Sequence, residues 1–319
     1  MHELTRYYAS VTIKAPTFVY KGRDKARNGF SVIQRLTGGF MNYIKTGLLL
    51  VVLTMIFVLI GGYFGGQQGA VYAFIFAFII NMVSYWFSDK IVLMMYGAKE
   101  ANINEVPELY NLVKNLTMAA EMPMPKVYIA PQNTPNAFAT GRSPKHSAVC
   151  VTQGILNILD KEELKGVIAH ELSHVKNRDT LIMTVAATIA GAITMIANWA
   201  RWAAIFGGRG GRDRENNGIG MLVMLIVAPI AAMLIQLAIS RSREYAADKR
   251  GALIAGTPAG LSRALLKLEK GNKVYPMNAN QATAHLFIVN PLRADVIGAL
   301  FSTHPPIRER VKRLENMTI

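Results

Sequence analysis

Two long apolar runs near the start of the chain limit what it can fold into. Residues 47–66 (GLLLVVLTMIFVLIGGYFGG) and 69–87 (GAVYAFIFAFIINMVSYWF) contain no charged side chain. As a helix, each is long enough to cross a hydrocarbon core about 30 Å thick. Two core helices of a soluble protein would be the alternative, but two adjacent charge-free runs of this length disfavour it. Because only glutamines and glycines lie between the runs, we expect a transmembrane hairpin.

Two further apolar runs follow at residues 181–206 and 219–239. Arg201 lies near the end of the third run, where its long side chain can reach the interface. Pro229 interrupts the fourth run, which neighbouring helices can tolerate. The loop 207–218 carries three arginines and two acids, so the second hairpin either spans the bilayer or sits shallowly in it. Its length favours spanning, which gives four transmembrane helices.

The distribution of basic residues predicts the orientation. Residues 1–45 hold eight Lys and Arg against two acids, while the first loop has no charge. The positive-inside rule then places the N-terminus and the segments 88–180 and 240–319 in the cytosol of a multi-pass protein of the cell membrane. The net charge of +15 fits this bias better than nucleic-acid binding, since no zinc-finger, RNP or helix-turn-helix pattern is present. The single cysteine, Cys150, excludes an intrachain disulfide.

The predicted fold is α+β and mainly helical, in an integral membrane protein with four transmembrane helices. Its cytosolic domain carries an HExxH string at 170–174, which predicts a zincin-like catalytic domain. A helix is expected over 104–122 from its apolar spacing. Short strands are expected at 125–130, 136–140 and 147–152. We divide the chain into a basic cytosolic segment (1–45), a first transmembrane hairpin (46–87), the first part of the catalytic domain (88–180), a second hairpin (181–239) and the second part of the catalytic domain (240–319).

The string AHELSHVKNRD at 169–179 contains two candidate zinc ligands and a candidate general base. Asp160 and Glu163 form a capping-box pattern that starts its helix. His170 and His174 are four residues apart and share one helix face, so both imidazoles can reach one zinc ion. Glu171 points to a neighbouring face, from which it can reach a water at the metal without being a ligand. The alternative is a solvent-facing polar helix.

A third zinc ligand is expected from SRSREYAADKR at 240–250. Glu244 can supply it, and Asp248, on the same helix face, can accept the other ring N–H of a liganding histidine. The alternative is that both acids balance the arginines and lysine around them. Both predicted helices border the second hairpin, so a spanning hairpin would bring them to the same membrane face.

Four strings together resemble the HtpX heat-shock membrane metalloproteases, relatives of the CAAX prenyl endopeptidases: NAFATGR, HELSHVKNRD, SRSREYAAD and STHPPIRERVKRL. The resemblance covers about residues 40–319. It implies one zinc ion per chain on His170, His174 and Glu244, with Glu171 as general base. It also implies a stress-response role in protein quality control, with misfolded or damaged membrane proteins as substrates and the lipid bilayer as a partner.

Two further site predictions are weaker patterns. His304, in STHPP, is a candidate donor to the oxyanion of the tetrahedral intermediate; the alternative is the start of a helix running to about Asn316. The segment Asn136, Ala137, Phe138 and Ala139 is a candidate edge strand that could bind an extended substrate, beside the zinc site by resemblance. The alternative is an interior strand packed on the motif helix.

Other functions remain open at this point. A CAAX-type processing endopeptidase is one, and a non-catalytic scaffold or transporter is another. No charged residue lies in the middle of the first hairpin, which disfavours an ion path. No GxxxxGK[ST] string is present, which disfavours ATP-driven proteolysis. A membrane-integral zinc endopeptidase is the prediction that uses all the motifs.

Overall fold

The computed structural model describes residues 24–189, 241–274, 286–289 and 305–319. The chain divides into two units, residues 1–37 and 38–319, and everything below concerns the second. Most of the predicted second hairpin and His304 lie outside the described residues. The expectations about them, and about the first 23 residues, therefore stay predictions.

The first two apolar runs form the predicted helical hairpin. Helix α1, Asp24–Met95, is two helices that meet at Gly66, whose φ of 58° is open to glycine without strain. The helices cross closely near this turn, because a Cβ at Gly69 would lie 2.2 Å from the carbonyl oxygen of Gly61. Further along, the Asn81 amide donates to Thr54 Oγ1 and to the Leu50 carbonyl, which ties the two helices together.

The hairpin exposes most of its apolar side chains. Two stretches, Tyr43–Tyr63 and Gly65–Met95, are long and apolar enough to cross a membrane, and only 18% and 11% of their apolar windows are buried. Leu59, Phe74 and Phe78 are among the large side chains exposed by half or more. A core helix of a soluble protein would bury such residues, so in the described part of the chain that alternative is wrong.

A four-stranded sheet forms next to the hairpin, in the order β1-β2-β4-β3. Its strands are β1 (Lys99–Glu100), β2 (Lys126–Ala130), β3 (Ala137–Ser143) and β4 (His146–Thr152). The strands β2, β3 and β4 confirm the three predicted from the sequence. Strand β4 pairs parallel with β2 and antiparallel with β3. Within the described residues, β3 therefore lies at an edge of the sheet.

The remaining described elements are helices, which agrees with a mainly helical α+β fold. They are α2 (Pro107–Ala119), α3 (Gln153–Ile158), α4 (Lys161–Asn177), α5 (Asp179–Ile189), α6 (Arg241–Ala255), α7 (Ala259–Val274) and α8 (Ile307–Glu315). Helix α2 confirms the helix expected from the spacing of its leucines. Helix α8 begins after Pro306 and ends before Asn316, as predicted for a proline-started helix.

Helix α4 lies at the centre of the soluble part. Its first turn has the predicted capping box, with Asp160 accepting from the Glu163 N–H and Glu163 accepting from the Asp160 N–H. Its apolar residues join the main core, in which Ile168 and Leu172 are fully buried. Strand β3 covers one side of α4, and helices α6 and α7 cover others. The helix is therefore surrounded by protein, and its polar residues lie inside the fold.

The third apolar run begins directly after α4. The chain turns at Arg178, which has a φ of 61°, and α5 starts at Asp179. Leu181, Val185 and Ile189 of α5 pack in one apolar cluster with Leu49 and Leu53 of the first hairpin helix. The motif helix is thus joined to the hairpin region by a sharp turn.

Candidate active site

The three polar residues of the motif lie side by side inside the fold. His170, Glu171 and His174 on α4 are exposed by only 1%, 6% and 2%. The sequence spacing predicted that the two histidines share one face of α4 and that Glu171 lies on a neighbouring face. The packing of β3 and α6 against α4 explains why all three are buried. The alternative of a solvent-facing polar helix is wrong.

Helix α6 brings a third side chain to the two histidines. The Nε2 atoms of His170 and His174 lie 3.3 Å apart. The carboxylate oxygens of Glu244 lie 3.7 Å from the first of these atoms and 3.4 Å from the second. One ligand atom from each of the three residues fits within 4.8 Å of the others. The group can therefore hold a single metal ion.

Each histidine has its own carboxylate on the far side of the ring. His174 Nδ1 lies 3.2 Å from Asp179 Oδ2 in a hydrogen bond. His170 Nδ1 lies 2.9 Å from Asp248 Oδ1, although its N–H is not aligned well enough with that oxygen to form a hydrogen bond. A carboxylate on the outer ring nitrogen fixes the tautomer that presents the inner nitrogen to a metal.

A buried arginine from the end of the chain supports this arrangement. Arg310 on α8 has no exposed surface and donates twice to Asp248, at 2.9 Å from Nε and 2.7 Å from Nη2. Its Nη1 donates to the Ile288 carbonyl at 3.0 Å and lies 3.9 Å from Glu244 Oε2. One guanidinium thus contacts the acids on α6 and the 286–289 segment.

The site contains buried ionisable groups of both signs. Its buried carboxylates are Glu171, Asp179, Glu244 and Asp248, and the guanidinium of Arg310 is fully buried among them. Burial alone would raise the pKa of Asp248, but the charge of Arg310 outweighs it and lowers that pKa to about 2. The Asp248 carboxylate therefore stays ionised at neutral pH beside the outer ring nitrogen of His170.

Burial and neighbouring charges shift the pKa values of the three motif residues in different directions. Burial lowers the pKa of His170, which favours the neutral ring that binds metals. Burial also lowers the pKa of His174, but the hydrogen bond with Asp179 and the charge of Glu244 outweigh it and raise that pKa to about 9. Burial raises the pKa of Glu171 to about 7, the range expected of a general base working near neutral pH.

Strand β3 runs past Glu171 with its free edge toward the site. The backbone N–H of Ala139 donates to Glu171 Oε2 at 3.0 Å. Asn136 bonds to Thr152 of β4 on the other edge of the strand. Because backbone groups alternate between the two edges of a strand, Ala137 and Ala139 share the free edge. The predicted edge strand and the predicted packing on α4 are therefore both present.

A small cleft lies between this strand and the motif helix. His170, Glu171, His174 and Glu244 form its polar side. Its apolar side consists of Phe138, Met183, Leu286, Phe287 and Ile288. Asn136 holds the 286–289 segment in place, since its side-chain oxygen accepts from the Ile288 N–H at 3.2 Å. Of the predicted strand residues, Phe138 and Ala139 line the cleft, while Asn136 is buried behind it.

Two residues of this site were not identified from the sequence. Asp179 stands inside the quoted motif string, but nothing in its spacing indicates that the chain turns back at Arg178 to bring it to His174. Arg310 stands inside STHPPIRERVKRL, where several basic residues look alike. A sequence signal for it was the amphipathic pattern of α8, which places Arg310 on the buried face with Val311 and Leu314.

The hairpin and the buried His, His and Glu group define a class of protein. Two exposed apolar helices adjoin a helix bearing HExxH, and a catalytic-type glutamate lies beside the metal-binding group. The chain is a membrane metalloprotease.

Comparisons with known proteins identify the family. Residues 104–318 match the model of Peptidase family M48, and the chain belongs to this family. It is 56% identical to a "Protease HtpX homolog" of Syntrophotalea carbinolica over 281 residues, covering 88% of this chain and all of the relative. A "Protease HtpX homolog" of Thermodesulfovibrio yellowstonii is 58% identical over 278 residues, covering 87% of this chain and 99% of the relative.

A more distant likeness is found among solved structures. The crystal structure of S. mikatae Ste24p aligns with 91% of this chain and 67% of its own, at 18% identity and a TM-score of 0.47.

Proposed function

We propose that the protein is a zinc endopeptidase that cleaves misfolded or damaged membrane proteins from the cytosolic side of the cell membrane. The observation that carries the proposal is the buried group of His170, His174 and Glu244, with Glu171 beside it and not part of it. Three protein ligands that leave a fourth position for water are typical of catalytic zinc sites, and the adjacent carboxylate can act as a base.

The geometry of the three side chains fits zinc. Two imidazole nitrogens bound tetrahedrally at about 2.0–2.1 Å from one zinc ion lie about 3.3 Å from each other. The two Nε2 atoms are 3.3 Å apart. Two nitrogens and one carboxylate oxygen suit zinc better than calcium or magnesium, which prefer oxygen ligands. Asp248 and Asp179 would hold the two rings in the binding tautomer.

Zinc at such a site supplies Lewis-acid chemistry, since it lowers the pKa of water and polarises a carbonyl oxygen. Glu171 accepts the proton of the attacking water and passes it to the leaving amine. A pKa near 7 allows both steps at neutral pH. The Ala139 N–H orients the Glu171 carboxylate by its 3.0 Å hydrogen bond. We keep His304 as a candidate donor to the oxyanion.

Strand β3 is the proposed binding edge for the substrate backbone. The backbone groups of Ala137 and the C=O of Ala139 lie on the outer edge of β3 and can pair with an extended peptide, while the Ala139 N–H bonds to Glu171. Such pairing gives affinity that depends little on side chains. Asn136 and Phe138 would support the strand, the first through the 286–289 segment and the second by lining the cleft. Such an edge suits an enzyme with varied unfolded substrates.

The first experiment measures metal and proteolysis together. Zinc content is determined by elemental analysis of the detergent-purified protein, and casein cleavage is followed with and without a chelator. We expect one zinc ion per chain and cleavage that stops on chelation and returns on adding zinc. A metal-free protein that cleaves casein would contradict the proposal, and a zinc-free, inactive protein would favour the scaffold alternative.

The proposed topology has four transmembrane helices, in the five-part division of the chain given above. The uncharged turn at Gln67 should lie outside the cell, because the flanking basic residues are retained in the cytosol. A cysteine introduced at Gln67, in a chain with Cys150 replaced by alanine, should react with an external membrane-impermeant reagent. Labelling of that cysteine only after lysis would contradict the orientation and the cytosolic active site.

A further inference from the structure

The hairpin meets the catalytic part through two arginine–aromatic contacts. The guanidinium of Arg142 lies 4.7 Å from the Trp86 ring centre, and its Nη1 donates to the Trp86 carbonyl at 3.4 Å. The guanidinium of Arg178 lies 5.6 Å from the Tyr43 ring centre. One contact reaches the second hairpin helix and the other reaches the first.

Both aromatic residues lie where a hairpin that spans a bilayer would meet its surface. Helical rise places Tyr43 about 35 Å and Trp86 about 30 Å along their helices from the turn at Gly66. A hydrocarbon core is about 30 Å thick, and Trp and Tyr prefer its boundary with water. The two contacts therefore mark the same boundary on the two helices, at the end opposite the turn.

The active site is close to this boundary along two separate paths. Arg142 belongs to β3 and lies three positions after Ala139, which bonds to Glu171. A strand rises about 3.3 Å per residue, so Ala139 is at most about 10 Å from Arg142. Arg178 follows α4, and helical rise places His174 about 6 Å from it along the helix. Both values are distances along the strand and the helix, so tilting either element relative to the membrane does not lengthen them.

We infer that the enzyme selects peptide bonds in the juxtamembrane segments of membrane-anchored proteins, by holding its cleft at a fixed short distance from the bilayer surface. The inference rests on the proposed function and names the substrate class of the same site. An extended chain that leaves the membrane and adds along β3 would need about three residues to cover 10 Å, and about two more to cross the headgroup layer. Bonds close to a transmembrane segment would be cut, and distant ones would not.

The test uses a substrate whose peptide bonds differ only in their distance from the membrane. A single transmembrane helix is followed by a long unstructured tail that repeats one short sequence, so that every repeat is chemically equivalent. The full-length enzyme and this substrate are reconstituted together in vesicles, and the cleaved bonds are identified by mass spectrometry. The same tail without its transmembrane helix is digested in parallel.

We expect cuts in the anchored tail to cluster within about ten residues of its last apolar residue, while the free tail is cut throughout its length. Cuts spread evenly along the anchored tail would overturn the inference but leave the proposed function standing, because the tail is still cleaved. If neither tail is cut, the proposed function itself fails, and the inference fails with it.

The role of the contact between Arg142 and Trp86 is tested with two variants, R142A and the control K145A in the turn that follows β3. R142A should spread the cuts away from the membrane, because the tether at the end of β3 is lost. K145A removes the same charge from an exposed side chain next to β3 and should leave the clustering unchanged. Identical cut positions in R142A and the unaltered enzyme would show that this contact does not set the distance.

Discussion

Arg310 and Asp248 form a buried two-point ion pair, with donor–acceptor distances of 2.9 and 2.7 Å. Asp248 in turn lies 2.9 Å from the outer ring nitrogen of His170. The two residues are 62 positions apart in the chain. Helix α8, near the end of the chain, therefore supports the first histidine of the motif through one intermediate carboxylate.

Removal of the arginine should weaken both the fold and the metal site. Arg310→Met leaves the Asp248 carboxylate buried without its partner, which should destabilise the fold by about 3–5 kcal/mol. Loss of the support behind His170 should lower zinc affinity about 10–100-fold. Thermal unfolding and competition with a zinc chelator measure the two effects.

The control for Arg310 lies on the same helix. Arg313 is exposed and pairs with Glu309 at the surface, so Arg313→Met should change stability by less than about 1 kcal/mol. The double variant Arg310→Met with Asp248→Asn should recover part of the lost stability, because no unpaired charge remains. Unchanged zinc affinity in Arg310→Met would contradict the supporting role.

Local patterns in the sequence predicted the elements that depend on neighbouring residues. The spacing of His170 and His174, the capping box of Asp160 and Glu163, and the short strands between turn residues all follow from local sequence patterns. Glu244 was also identified, because its position after an apolar run placed it near the motif. These features needed no knowledge of which elements pack together.

The rest of the site depends on contacts that no local pattern contains. The left-handed backbone at Arg178 turns Asp179 toward His174, and a non-glycine residue in this conformation gives no sequence signal. The choice of Arg310 over its basic neighbours depends on which face of α8 is buried. Periodicity placed the histidines on one helix face, but only the packing of β3 and α6 shows that this face is covered.

Cys150 should be inert in the folded protein. It lies in β4 with no exposed surface, and burial raises the pKa of its thiol to about 12. At pH 8–9 a thiol reagent should therefore label the native chain far more slowly than the unfolded chain. Rapid labelling of the native protein would contradict the burial of β4.

The same pKa shift predicts a dependence of stability on pH. In the unfolded chain the thiol ionises near pH 8.5, but in the folded chain it stays neutral. The stabilising contribution is therefore complete below about pH 8.5 and is lost as pH rises toward 12, by up to about 1.4 kcal/mol per pH unit. Cys150→Ala should show a shallower fall in unfolding temperature above pH 8.5; an identical fall in both chains would contradict the shift.

Strand β3 is tested by removing one backbone donor. Ala139→Pro deletes the N–H that bonds to Glu171 and faces the cleft, but this N–H does not pair with β4. We expect cleavage of peptides to be lost while zinc content is kept. Ala139→Gly retains the N–H and should keep most of the activity. Normal cleavage by Ala139→Pro would contradict the role of this N–H in orienting Glu171 at the substrate-binding edge.

The central claim is that Glu171 is the base and His170, His174 and Glu244 are the ligands. Glu171→Gln keeps an oxygen that can accept from the Ala139 N–H but cannot take a proton at neutral pH. The ligands are untouched, so zinc should stay bound. His174→Ala removes a ligand and should lose both zinc and proteolysis. Glu162→Gln, at an exposed position in the first turn of the same helix, serves as the matched control.

Zinc content and casein cleavage measured on the same preparation of Glu171→Gln test this claim most directly. We predict one zinc ion per chain, as in the unaltered protein, with the cleavage rate reduced by about 10²–10⁴-fold or more. A Glu171→Gln protein that has lost its zinc, or one that cleaves casein at the full rate, would contradict the assignment.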